Sequence, residues 1–167
     1  LSFAEVITDV IVDGNKRISK ETLLIFGEIS KGSDYNQEDL NDILKKIFRT
    51  NFFKDVKLNI EDSVLKIFVV ENPIINTIEI NGVKSSKLKE FILDKISLKD
   101  RSSFIESKFI NDLNFVRNVL KSNGYYFAEI ETKSVLNDEQ NSIKIIYDIN
   151  LGSKAKINQI QFLGDKK

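Results

Sequence analysis

Carboxylates come first among the residues that could do chemistry, because two of them on one buried face would serve general acid–base catalysis. Asp9 and Asp13 bracket the first strand-like stretch, and Asp138-Glu139 stands in a turn. No motif places either pair on a buried face, and both read as solvated. Gly14-Asn15-Lys16-Arg17 could hold a phosphate in principle, but it lacks the glycine spacing of any phosphate loop. Lys45-Lys46 reads as a solvated pair at a helix end. Phe52-Phe53 and Tyr125-Tyr126 could form a ligand platform, but their position between helix and strand suits core and rim packing. The chain has no histidine and no cysteine. Thiol chemistry, the usual zinc ligand sets, Ser-His and Cys-His nucleophiles and histidine pH switching are thereby removed. No catalytic, cofactor or metal site emerges, and the chain reads as a non-enzyme.

Two features suit binding instead. Val56, Lys57, Leu58, Asn59 and Ile60 form one alternating stretch, and Ala128, Glu129, Ile130, Glu131 and Thr132 form another. Each is expected at the edge of a sheet, where unpaired backbone groups can accept a further strand from a partner of almost any sequence. The same stretches carry Lys57, Glu61, Glu129, Glu131 and Lys133, charges that would equally keep an edge soluble and unpaired. Phe68, Val70 and Ile146 fall on the face opposite the inferred core of the central strands. They could meet a partner, a neighbouring unit or a loop.

These stretches belong to a repeat. Ile75-x-x-Ile78-x-Ile80-x-Gly82 is echoed by Ile157-x-x-Ile160-x-Phe162-x-Gly164 and, more weakly, by Ile7-x-x-Val10-x-Val12-x-Gly14. The closing glycines lie 68 and 82 residues apart, a period that implies tandem domains. Such units are small enough to profit from stacking on their neighbours.

The first unit reads as a strand over Val6 to Val12, a short helix capped by Ser19 and stopped by Gly27, and a loop at Gly32-Ser33-Asp34. A second helix follows, capped by Asn36, with Leu40, Ile43, Leu44, Ile47 and Phe48 on one stripe and Asn51 as a left-handed cap. Alternation then marks strands over Asp55–Glu61 and Leu65–Val70, joined by a turn at Asp62-Ser63. The second unit repeats this order. A strand spans Ile75–Ile80, and a helix carries Leu88, Phe91, Ile92 and Ile96 on one face. A longer helix carries Phe109, Leu113, Val116 and Leu120 and stops at Gly124. Strands follow to about Val135 and over Ile143–Ile149. Both units are β-α-α-β-β. In each, the strictly alternating second strand should lie at an edge and the more apolar third strand in the centre, with two helices over one face.

Residues 1–73 hold 10 Lys/Arg against 13 Asp/Glu, and residues 74–167 hold 15 against 12. Imbalances this small make no footprint for nucleic acid. No apolar run approaches the length that spans a bilayer. Ser2-Phe3-Ala4 has the small-x-small form of a secretory cleavage site, which would make Glu5 the mature start; the alternative is an unstructured end.

The β-α-α-β-β order, the Ile-x-x-Ile-x-Ile-x-Gly strand and the helix exit Phe48-Arg49-Thr50-Asn51-Phe52-Phe53-Lys54-Asp55-Val56 together resemble a POTRA domain. Leu65 to Pro73 running straight into the next strand, the exit Asn123-Gly124-Tyr125-Tyr126 and the join Ile149 to Ile157 are similar to the junctions of consecutive POTRA domains. Asn51 departs from the glycine usual there, mildly, since Asn tolerates the left-handed conformation.

The resemblance implies an α+β fold of two tandem POTRA domains, 1–73 and 74–153, with 154–167 opening a third. Each would be a three-stranded mixed sheet covered on one face by two helices. It also implies a periplasmic module of the outer-membrane β-barrel assembly machinery. The implied partners are unfolded outer-membrane proteins, periplasmic chaperones and accessory assembly lipoproteins, with no cofactor and with membrane contact only through a barrel domain outside this chain. A related translocator of the two-partner secretion type is the alternative. A small enzyme or nucleic-acid binder would need a catalytic constellation or a basic stripe that the sequence lacks.

Overall fold

A computed structural model describes residues 5–155. The expected third-unit strand and the Ser2-Phe3-Ala4 tripeptide lie outside the described residues. The chain forms two compact units. The first contains β1 (Glu5–Val6), β2 (Asp9–Asp13), α1 (Lys20–Gly27), β3 (Asp34–Tyr35), α2 (Gln37–Arg49), β4 (Phe53–Glu61) and β5 (Val64–Glu71). The second contains β6 (Ile74–Asn81), α3 (Ser86–Lys95), α4 (Glu106–Ser122), β7 (Glu129–Asn137) and β8 (Ser142–Asn150).

The sheets run β2-β5-β4 and β6-β8-β7, so the third strand is central and the second is an edge in both, as the alternation predicts. In the first sheet β2 is parallel to β5, with Val10 opposite Leu65, and β4 is antiparallel to β5, with Val56 opposite Val69. Asp62 and Ser63 turn the β4–β5 hairpin with φ of 52° and 59°, the left-handed pair that matches strand twist. Alternation places Leu65, Ile67 and Val69 inward on β5, where they are buried with Leu40, Ile43 and Ile47 of α2. Each such side chain contributes about 1.5–3 kcal/mol by leaving water.

The helix starts follow their caps. The Ser19 hydroxyl accepts from the Thr22 N–H, the Ser85 hydroxyl from the Leu88 N–H, and Asn36 forms a capping box with Asp39. Asn51 is left-handed at φ 61°, as expected of it. The signature glycines have a shared physical cause. Gly14 and Gly82 sit at φ 82° and 80°, and a Cβ there would stand 2.1 Å from the Val69 carbonyl oxygen and 1.7 Å from that of Ile149. In both units the first strand ends by pressing its backbone onto the central strand, which only glycine permits.

Several expectations are corrected. The first strand is broken, because the Ile7 N–H turns away to the Ser33 carbonyl (3.1 Å) and the Thr8 N–H goes to the Ser63 carbonyl (2.8 Å). The Gly32-Ser33-Asp34 loop ends in a short strand, with Val6 opposite Asp34 and Glu5 opposite Tyr35. Gly27 lies inside α1, where a Cβ would meet the Ile29 side chain at 2.7 Å, and Glu28 takes the left-handed cap at φ 53°. Phe91 turns out of the core and is exposed, set beside Phe115 with ring centroids 6.4 Å apart.

Candidate polypeptide-binding edges

Both units leave the same edge open. Among the described residues, β4 and β7 each end their sheet, paired on one side only. The opposite edges are engaged near the start of each unit's first strand by the loop that joins its helices, and in the first unit also by Lys20 of α1. In the first unit, Gly32 donates to the Ile7 carbonyl (2.8 Å), Ser33 accepts from Ile7, and the Lys20 ammonium donates to the Val10 carbonyl. In the second, the Ile75 N–H donates to the Ser102 carbonyl (2.9 Å) and the Arg101 N–H to the Ile75 carbonyl (2.7 Å). The Asp100 carboxylate accepts from the Ile78 N–H (3.0 Å). An edge engaged in this way is less free to take another strand than β4 or β7.

On β4, Lys57 and Asn59 are exposed, Leu58 and Ile60 are half-buried, and Val56 is buried in the core. Val56 can therefore offer a partner its backbone but not its side chain. On β7, Glu129 and Glu131 are exposed while Ile130 and Thr132 are half-buried. Ala128 precedes the strand, its N–H donating to the Tyr125 carbonyl at 3.3 Å. On the helix side a strand added to β4 would meet an apolar row and one added to β7 a mixed row, and on the outer side both would meet a polar row.

The outer faces of the two sheets differ. Phe68 and Val70 are exposed on the first, with Ile11 also exposed on β2. Lys57 stands opposite Phe68, and Asp55 opposite Val70. The second outer face is a lattice of charges around half-buried Ile146. Lys144 lies 2.8 Å from Glu79, and Lys133 lies 2.7 Å from Asp148. The Asn81 side-chain amide donates to Asp148 at 2.8 Å. These two donors, Lys133 first, hold the Asp148 carboxyl below the usual range, and Asp148 in turn holds the Lys133 ammonium above its own.

Of the two aromatic pairs, Phe52-Phe53 packs as expected, whereas in Tyr125-Tyr126 the second ring does not. Phe53 is buried and Phe52 stacks on Phe26 at 5.7 Å. Tyr125 lies beneath the Lys154 ammonium, 5.4 Å from the ring centroid, and Tyr126 is exposed. Each exit chain is tied to the turn after its unit's second helix. The Asn72 N–H donates to the Phe52 carbonyl (2.8 Å), and the Ala155 N–H to the Gly124 carbonyl (2.9 Å).

The structure adds two buried carboxylates, Glu71 and Asp112, to those considered from the sequence. Glu71 Oε1 accepts from three successive N–H groups, those of Lys16 (2.7 Å), Arg17 (2.9 Å) and Ile18 (2.9 Å). Asp112 accepts from the N–H groups of Ser97 (2.7 Å) and Leu98 (2.8 Å), fixing the loop that engages β6. Their signal was present. Glu71 continues the inward register of Leu65, Ile67 and Val69, and Asp112 lies on the stripe of Phe109 and Val116. An acid at a core register position implies local donors.

Residues 5–72 and 73–152 each match the family described as POTRA, surface antigen variable number repeat. Over 98% of its length the chain is 23% identical to the outer membrane protein assembly factor BamA of Neorickettsia risticii, covering 22% of that protein. It is 30% identical to BamA of Buchnera aphidicola over 92% of its length, covering 29% of it. The solved N-terminal domain of Omp85 from Thermosynechococcus elongatus matches with a TM-score of 0.56 and 16% identity, over 89% of this chain and 63% of that one. The chain thus spans less than a third of either assembly factor.

Proposed function

Because the chain belongs to the POTRA family and carries two consecutive copies of its domain, we propose that it is a periplasmic polypeptide-binding module of an outer-membrane β-barrel assembly factor. It receives unfolded outer-membrane proteins and docks chaperones and accessory lipoproteins. The work is binding, with no chemical step. Residues 1–73 and 74–153 act as the two domains, and 154–167 begin a third. The observation that carries this reading is the shared arrangement of edges: in both units the first strand is engaged near its start, and the second is unpaired on its outer side among the described residues. Backbone pairing along β4 (at Val56 to Ile60) and β7 (with Ala128 leading into Glu129 to Thr132) accepts many sequences, which a receptor for many barrel strands requires. Phe68 and Val70, with Ile146 in the second unit, add apolar contacts on the outer faces.

Amide chemical-shift mapping with extended peptides copied from barrel strands tests it. The reading expects shifts concentrated at residues 54–60 and 129–133. Shifts confined to the helices, with both edges silent, would overturn it.

A further inference from the structure

The two open edges carry different charge patterns. On β4 each acid is matched within its own unit: Asp55 lies 3.6 Å from Lys57, and Glu61 pairs with Lys66. On β7 the balance fails. Lys133 is drawn to Asp148 at 2.7 Å and stands only at the limit of pairing with Glu131, 4.0 Å away. Glu129 has no ion-pair partner among the described residues. The surplus borders a hollow of about 420 Å³ on the outer face, lined by Asn81, Glu129, Glu131, Asp148 and Asn150.

We infer that Glu129 and Glu131 make the β7 edge selective for extended segments with Lys or Arg at alternate positions. This rests on the edge-pairing reading and adds a chemical preference to it. A strand hydrogen-bonded to β7 would send every second side chain to the outer face, directly beside these carboxylates. Opposite charges at that spacing stabilise a pairing and like charges oppose it. A basic side chain in that row would lie at the rim of the hollow that Glu129 and Glu131 line. The β4 edge, whose acids are already matched, has no such preference. Selection of this kind weakens as salt rises, because the groups are exposed.

The test uses the full chain and three nine-residue peptides. All share Val and Tyr on one face and carry Lys, Ser or Glu at three alternate positions on the other. Affinities are read from the amides of residues 129–133 and, separately, of residues 54–60. The expected order at 129–133 is Lys over Ser over Glu, with steps of about threefold to tenfold, and no such order at 54–60. In a Glu129→Gln, Glu131→Gln double variant the Lys peptide should fall to the affinity of the Ser peptide. Equal affinities at 129–133 would overturn the selectivity and leave edge pairing standing. Peptides that bind without moving those amides would overturn the pairing itself, and the selectivity with it.

Discussion

Glu71 holds Arg17 through both carboxylate oxygens: Oε1 accepts from the Arg17 backbone N–H at 2.9 Å, and Oε2 lies 3.3 Å from the guanidinium Nε. Glu71 is 4% exposed, so this contact anchors the loop after β2 to the end of β5 from inside the unit. Replacing Glu71 by Ala would leave the part-buried N–H groups of Lys16, Arg17 and Ile18 without this acceptor. Because the Arg17 side chain is 30% exposed and stays solvated, the loss is that of the hydrogen bonds, about 2–3 kcal/mol. Glu71→Gln keeps one acceptor oxygen and should cost less, about 1–2 kcal/mol. Urea unfolding followed by the amide signals of each unit checks this, with the loss confined to the first unit.

Gly14→Ala and Gly82→Ala make a matched pair. A methyl group at either site collides with a backbone carbonyl, at 2.1 Å and 1.7 Å. Each substitution is expected to destabilise its own unit by at least about 2 kcal/mol and leave the other folded, since the strain adds to the clash. Thermal melts resolved by unit would show it, and two mild, equal effects would contradict it.

Tyr147 is fully buried, and its hydroxyl has no partner among the protein atoms of the described residues. Burial first, and then the nearby Asp112 carboxylate, push its ionisation well above the ordinary tyrosine value. The unfolded chain therefore gives up this proton sooner than the folded one. The contribution to stability is complete below about pH 10 and is lost as pH rises beyond it. Tyr147→Phe should flatten that alkaline limb. At neutral pH it should leave stability unchanged or raise it by up to about 1 kcal/mol, because the polar atom removed is unsatisfied.

Asp148 behaves in the opposite sense. The hydrogen bonds from Lys133 and then Asn81 lower its carboxyl. Its contribution is present above about pH 4, the unfolded value, and is lost as pH falls through the lower folded one. Asp148→Asn should flatten the acid limb of the second unit, read from a pH series of unfolding curves.

Much of this was legible in the sequence because it is periodic. The order of elements, the central third strand and the Ser19 and Asn36 caps follow from spacing and residue type. The breaks lie where a distant backbone partner decides. Nothing local in Ile7-Thr8 reveals that their N–H groups leave for Ser33 and Ser63. Gly27 looks like a stop signal, yet it is small because Ile29 lies against it. Phe91 fits a helical stripe but sits at the stripe's margin, where Phe115 is its neighbour. For the candidate site, alternation located the two edges, while the loop contacts at β2 and β6 belong to loop conformation. Asp100, which accepts from Ile78, is indistinguishable in the sequence from any other loop acid.

The central claim is backbone pairing at two particular edges, and amide hydrogen exchange tests it most directly. With a bound barrel-strand peptide, the outward-facing N–H groups of β4 and β7 should gain protection at every second residue, while those of β2 and β6 stay unchanged. Protection that rises on the helices, or uniformly along the chain with no period of two, would contradict the account.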